Sequence, residues 1–121
     1  MRLEKIKELI KAHWLLQIPA QEDIDIQRVG AADLLSDVLT LSNEAMLLIT
    51  GMTGIQTIRT AEMSDNILAI IFVRGKKIDK NALNIASQLK LPLLVTKYSM
   101  YETCGILYKN NLPSVQLSFH G

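Results

Sequence analysis

Ile67-Leu68-Ala69-Ile70-Ile71-Phe72-Val73 is an unbroken apolar run, closed by the turn signal Arg74-Gly75-Lys76. A run this short, rich in large aliphatic residues and bounded by a breaker, reads as a buried strand. Ala45-Met46-Leu47-Leu48-Ile49, ended by Gly51, and Leu91-Pro92-Leu93-Leu94-Val95 repeat the pattern on either side. None of the three alternates apolar with polar. Continuous apolar strands are covered on both faces, the mark of a parallel sheet.

The segments between these runs carry helical spacing. A helix is expected over residues 54–64. Asp79 is a good N-cap for a helix whose stripe is Ala82, Ile85, Ala86 and Leu89. A last helix over residues 98–109 places Met100, Cys104 and Leu107 on one side. Upstream, Leu3, Ile6, Ile10 and Trp14 recur at spacings of three and four, which predicts a helix over residues 3–14 with His13 at its end. Lys5, Lys7 and Lys11 lie mostly off that stripe and read as a solvated face. Pro19 breaks the regular structure, and residues 21–25 read as an acidic loop. A short strand is expected over residues 26–32. Asp33 follows as the N-cap of a helix carrying Leu34, Leu35, Val38 and Leu39, with Ser36 and Asp37 in its first turn. Strands alternating with helices give an α/β class: a single domain with a mainly parallel sheet flanked by helices. That domain spans residues 1–112. In the tail, residues 113–121, Val115, Leu117 and Phe119 alternate with polar residues, so it is a candidate edge strand, pairing with this sheet or with a second copy, or else a frayed terminus.

The composition fits one globular domain of 121 residues, 49% apolar and 21% charged. The formal net charge of +1, with lysines and arginines scattered, lacks the basic stripe of a nucleic-acid binder. No run of about 18 apolar residues exists, so no membrane span is expected. The one cysteine fits a reducing compartment, and the N-terminal sequence does not read as a signal peptide, so the expected location is cytoplasmic.

In a parallel sheet, ligands collect at the carboxyl ends of the strands. Three turns should share that edge. Thr50-Gly51-Met52-Thr53-Gly54 brings two glycines, two hydroxyls and a helix start suited to an anion. Arg74-Gly75-Lys76-Lys77 adds positive charge, and Thr96-Lys97-Tyr98-Ser99 adds hydroxyls. The candidate anion site is therefore Thr50, Gly51, Thr53, Gly54, Arg74, Lys76, Thr96 and Ser99. Each of these signals is common, and the same residues more readily serve tight turns, close helix packing and helix capping. Neither Gly-x-x-x-x-Gly-Lys nor Gly-x-Gly-x-x-Gly occurs, which argues against a conventional kinase or dinucleotide enzyme. His13, His120 and Cys104 show no metal-ligand spacing, so no metal and no cofactor is expected. Cys104 reads as a small core residue.

Asp33-Leu34-Leu35-Ser36-Asp37-Val38, preceded by Arg28-Val29-Gly30, resembles the DRTGG domain family. Leu47-Leu48-Ile49-Thr50-Gly51, residues 67–73 and Leu91-Pro92-Leu93-Leu94-Val95 fall where that family places its core strands, and the resemblance covers roughly residues 3–110. The chain departs from the family in lacking the name-giving Asp-Arg-Thr-Gly-Gly run. Thr50-Gly51 is the nearest fragment, and Met52 follows it. The resemblance implies a fold like the N-terminal domain of bacterial HPr kinases. It also implies the company such domains keep: CBS domains in regulatory proteins and pyrophosphatases, phosphate acetyltransferases, and free-standing copies near iron-only hydrogenase genes. The family has no agreed catalytic residues, so none is carried over. The expected function is a non-catalytic regulatory or ligand-sensing module, a homodimer, taking a small anionic ligand. A protein-interaction subunit docking on a redox or signalling partner is the alternative, and an enzyme acting on a phosphorylated or acylated metabolite comes last.

Overall fold

The computed structural model describes residues 1–21 and 23–116. Ten elements follow one another: α1 (Leu3–Leu9), β1 (His13–Leu16), β2 (Val29–Ala31), α2 (Leu35–Thr40), β3 (Met46–Thr50), α3 (Ile55–Ser64), β4 (Ile67–Phe72), α4 (Lys80–Leu89), β5 (Leu93–Val95) and α5 (Met100–Lys109). The five strands form one sheet in the order β1-β5-β4-β3-β2. The pairs β2–β3, β3–β4 and β4–β5 are parallel, while β1 pairs antiparallel with β5. The fold is thus a single α/β domain with a mostly parallel sheet and helices on both faces.

The unbroken apolar runs are buried because each strand feeds two cores. Leu47, Ile49, Ala69, Ile71 and Leu94 point towards α1 and α5, where Leu3, Ile6, Ile10 and Leu107 meet them. Met46, Leu48, Ile70, Phe72 and Leu93 point the other way, against Val38 of α2, Ile58 of α3 and Ala82 and Ala86 of α4. Alternate residues of a strand face opposite sides of a sheet, so a strand covered twice has no polar position to spare.

The N-terminal helix is shorter than its spacing predicts. Lys11 adopts a left-handed φ of 51°, which ends α1 after Leu9. Trp14 then lies opposite Leu94 in β1, and His13 opens that strand instead of closing a helix. Ile10 and Trp14 keep helical spacing by coincidence across the turn. The C-terminal segment touches the sheet at the far edge. Val29 donates its N–H to the Pro113 carbonyl at 3.0 Å, and Val115 donates to the Val29 carbonyl at 2.9 Å. Leu117 and Phe119 of the candidate edge strand, and His120, lie outside the described residues.

Candidate functional site

Because β3, β4 and β5 run in the same direction, the loops that leave Thr50, Phe72 and Val95 meet on one rim, as the topology implies. Backbone hydrogen bonds lock them together. Val73 donates to the Thr50 carbonyl at 3.1 Å, Arg74 to the Tyr98 carbonyl at 2.8 Å, and Gly75 to the Thr96 carbonyl at 2.8 Å. Asp79 reaches across to the Thr53 carbonyl at 3.2 Å. The turn after β4 needs two successive left-handed residues, Arg74 at φ 64° and Gly75 at φ 61°. Glycine takes that conformation freely, whereas a residue with a Cβ pays about 1–2 kcal/mol for it.

At the centre of the rim sits Gly51. A Cβ added there would lie 2.6 Å from an Arg74 guanidinium nitrogen and 3.3 Å from the Asp33 carboxylate. A side chain at this position would push the guanidinium, the far end of an exposed side chain, away from the loop. The backbone of Gly51 is held at both ends. Its N–H donates to Asp33 Oδ1 at 2.7 Å, and its carbonyl accepts from Lys76 Nζ at 3.0 Å. Arg74 itself makes no ion pair and no side-chain hydrogen bond among the described residues.

The expected site residues therefore converge, but they differ in what they have left to offer. Thr50 is 0% exposed, donates its hydroxyl to Asp33 at 3.3 Å and accepts from the Met52 N–H at 3.2 Å. Thr96 is 1% exposed; its hydroxyl donates to the Ile10 carbonyl at 2.7 Å and accepts from the Tyr98 N–H at 3.2 Å. Ser99 caps α5, accepting from the Glu102 N–H at 3.1 Å while the Glu102 carboxylate accepts from the Ser99 N–H. These three hydroxyls hold the rim together. Thr53 is half-buried, Gly54 and Arg74 are exposed, and Gly54 precedes α3 with no side chain capping the helix. The donors left over are thus the Arg74 guanidinium, the exposed Lys76 ammonium beyond its bond to the Gly51 carbonyl, and the first amides of α3.

Asp33 departs from its expected role. The N-cap of α2 is Leu34, with no side-chain cap. Asp33 instead turns its carboxylate onto the β3–α3 loop, where it accepts from Gly51 and Thr50. Sequence reasoning missed it as a rim residue, because an aspartate just before a helix carries a strong local capping signal. The expected cap Asp79 does take its role, accepting from the Asn81 N–H at 3.4 Å.

Cys104 is half-buried on α5, and its thiol pKa is pushed up by that burial. Among the described residues, no cluster of His, Cys, Asp and Glu is arranged to hold a metal ion, and no helix is long and apolar enough to cross a membrane.

No protein-family model and no curated protein matches the chain by sequence. Its fold, however, is similar to a solved structure, the CBS and DRTGG domains of the regulatory region of Clostridium perfringens pyrophosphatase, complexed with the activator diadenosine tetraphosphate. The superposition has a TM-score of 0.69 at 12% sequence identity and covers 88% of this chain and 45% of that one. The chain thus spans less than half of its neighbour's length and shares with it a DRTGG-like fold.

Proposed function

We propose that this chain is a non-catalytic regulatory module that senses a small anionic ligand at the rim, with Arg74 as its main contact. The observation that carries this reading is the Arg74 guanidinium, unpaired among the described residues, beside a glycine that a methyl group would foul. An arginine in a left-handed turn is a strained choice where glycine or asparagine would serve, and such strain concentrates at functional positions. The loop that carries Gly51 runs on through Thr53 into the uncapped start of α3. The likeness to a regulatory region bound to a nucleotide activator supports sensing over turnover.

The arrangement suggests how binding is felt. The Asp33 carboxylate already occupies an anion position on the Gly51 amide. A phosphate drawn to Arg74 meets that carboxylate as a like charge and pushes on the connection between β2 and α2.

Isothermal titration with inorganic phosphate, acetyl phosphate and small dicarboxylates tests the reading. Arg74→Ala should weaken the best of these by about 10- to 100-fold, the value of a charge-assisted hydrogen bond. Gly51→Ala should do likewise by displacing the guanidinium, with the protein still folded. Binding that survives both changes refutes the assignment. The same reading takes the chain as a homodimer; a monomeric mass by light scattering removes that part and leaves the rim assignment standing.

A further inference from the structure

Helix α5 carries a glycine that the packing of one copy does not use. The helix buries Thr103 and Leu107. At about 100° per residue, Gly105 falls on the opposite, outermost line, and it is exposed. A Cβ there would meet no atom of the described residues within 4 Å. Glycine inside a helix costs about 1 kcal/mol relative to alanine, and nothing within the chain offsets that cost. The surface around Gly105 is divided. Tyr101 and Tyr108 lie to one side, 88% and 74% exposed, more than any other large apolar residue described. Glu102 and Lys109 lie to the other side, both exposed. Lys109 makes no ion pair among the described residues, and Glu102 commits only Oε1 to the Ser99 cap.

We propose that two copies of the chain meet by crossing their α5 helices antiparallel at Gly105. A two-fold axis through that crossing reverses the direction of the helix but keeps each of its sides where it was. Tyr101 stands about 6 Å before Gly105 along the helix axis and Tyr108 about 4.5 Å after it. Each Tyr101 therefore meets the partner's Tyr108, level to within about 1.5 Å. Glu102 and Lys109 stand about 4.5 Å before and about 6 Å after the glycine, so each Glu102 meets the partner's Lys109 in the same way. A parallel crossing would set Glu102 against Glu102 and Lys109 against Lys109, and like charges so placed repel.

The occupant is set by this self-complementarity. Opposite charges at matched distances from one glycine, with an aromatic pair matched the same way, form a patch that fits its own copy, as a two-fold interface requires. The missing Cβ lets the two helix axes approach to the short end of the usual 8–10 Å. The contact centres on a single 10-residue helix, so it sits at the small end of interfaces, with dissociation expected in about the micromolar range. It rests on the dimeric part of the reading above and is independent of the rim.

Sedimentation equilibrium of the full chain, from micromolar to millimolar concentration, measures the association. Gly105→Leu adds a side chain where one copy has room and improves the helix propensity. It should leave the urea midpoint unlowered yet weaken the dimer by about tenfold or more. Lys109→Glu should weaken it by about fivefold, and adding Glu102→Lys should restore most of the loss. Cross-linking reads the direction of the crossing. Tyr101→Cys and Tyr108→Cys, each combined with Cys104→Ser, are oxidised by air with a copper catalyst, alone and mixed. The mixture should form the disulfide readily, and each variant alone only slowly, because two copies of Tyr101 lie about 12 Å apart along the crossing. A wild-type chain that stays monomeric throughout removes the dimer reading and this proposal together. A dimer left intact by both Gly105→Leu and Lys109→Glu, or cysteine variants that link to themselves as fast as to each other, overturns the α5 assignment alone and places the contact between copies elsewhere. Neither result bears on phosphate binding at the rim.

Discussion

Thr96→Val separates a residue that builds the rim from one that serves a ligand. Valine matches threonine in shape but removes the hydroxyl that joins the end of α1 to the start of α5. In the wild-type protein that hydroxyl donates to the Ile10 carbonyl at 2.7 Å and accepts from the Tyr98 N–H at 3.2 Å, at a position 1% exposed. Both backbone groups lose their partner where water cannot easily replace it. Each such orphan costs about 1–3 kcal/mol, and the added methyl recovers part of it, so a net loss of about 2–4 kcal/mol is expected. Unfolding in urea followed by circular dichroism reads this directly. With a slope of about 1–3 kcal/mol per molar, the midpoint should fall by about 1–2 M. Thr96→Ser keeps the hydroxyl and should recover most of the loss. Phosphate affinity, measured on the folded variant, should stay at the wild-type value. A midpoint that barely moves, or a folded Thr96→Val that loses phosphate, would refute the assignment of this hydroxyl to the scaffold.

Three further outcomes follow from the geometry. Gly30→Ala places a methyl 2.7 Å from the Met46 sulfur and 3.1 Å from Leu41 in a buried spot, and overpacking of this kind should cost about 1–3 kcal/mol in a urea melt. Asp33→Asn keeps an acceptor for the Gly51 N–H but removes the negative charge beside Arg74, so phosphate should bind more tightly, by about fivefold for roughly 1 kcal/mol of relieved repulsion, as titration calorimetry would show. Burial raises the Cys104 pKa, so the reactive thiolate is scarcer than in a free thiol at neutral pH; maleimide labelling should be slow near pH 7 and still climbing at about pH 9, past the point where a free thiol with a pKa of about 8.5 begins to level off.

Much of the fold was legible because burial on two sides leaves a blunt trace. Ile67 to Val73 has no polar residue to confuse its reading, and neither has Met46 to Ile49. From parallel order alone, the meeting of the Thr50, Arg74 and Thr96 loops followed. Two things were hidden. The strand β1 is a four-residue antiparallel edge whose Trp14 continues the helical spacing of Leu3, Ile6 and Ile10, and nothing local betrays the left-handed Lys11 that divides them. The destination of each polar side chain was hidden too. Thr53 and Thr96 look alike in sequence, yet Thr96 is sealed because Ile10, distant along the chain, covers it. Such contacts are set by tertiary packing, which no window of sequence contains.

Asp33 shows why this difference matters for function. As a helix cap it would stabilise α2 and have no bearing on a ligand. As the acceptor for Gly51 it supplies the negative charge that the β3–α3 loop was shaped to hold, next to an arginine it does not neutralise. A phosphate-binding loop points its amides at the ligand and keeps them free. Here the amide most central to the loop is already bound to a carboxylate on the neighbouring connection. On the proposed reading, an incoming anion would therefore compete with part of the protein itself, and that competition would act on the chain between β2 and α2. Ala31, the last residue of β2, stands two residues before Asp33. Displacement at the rim should thus reach back to the end of β2, and a hydrogen-exchange change at Ala31 on adding phosphate would expose that link.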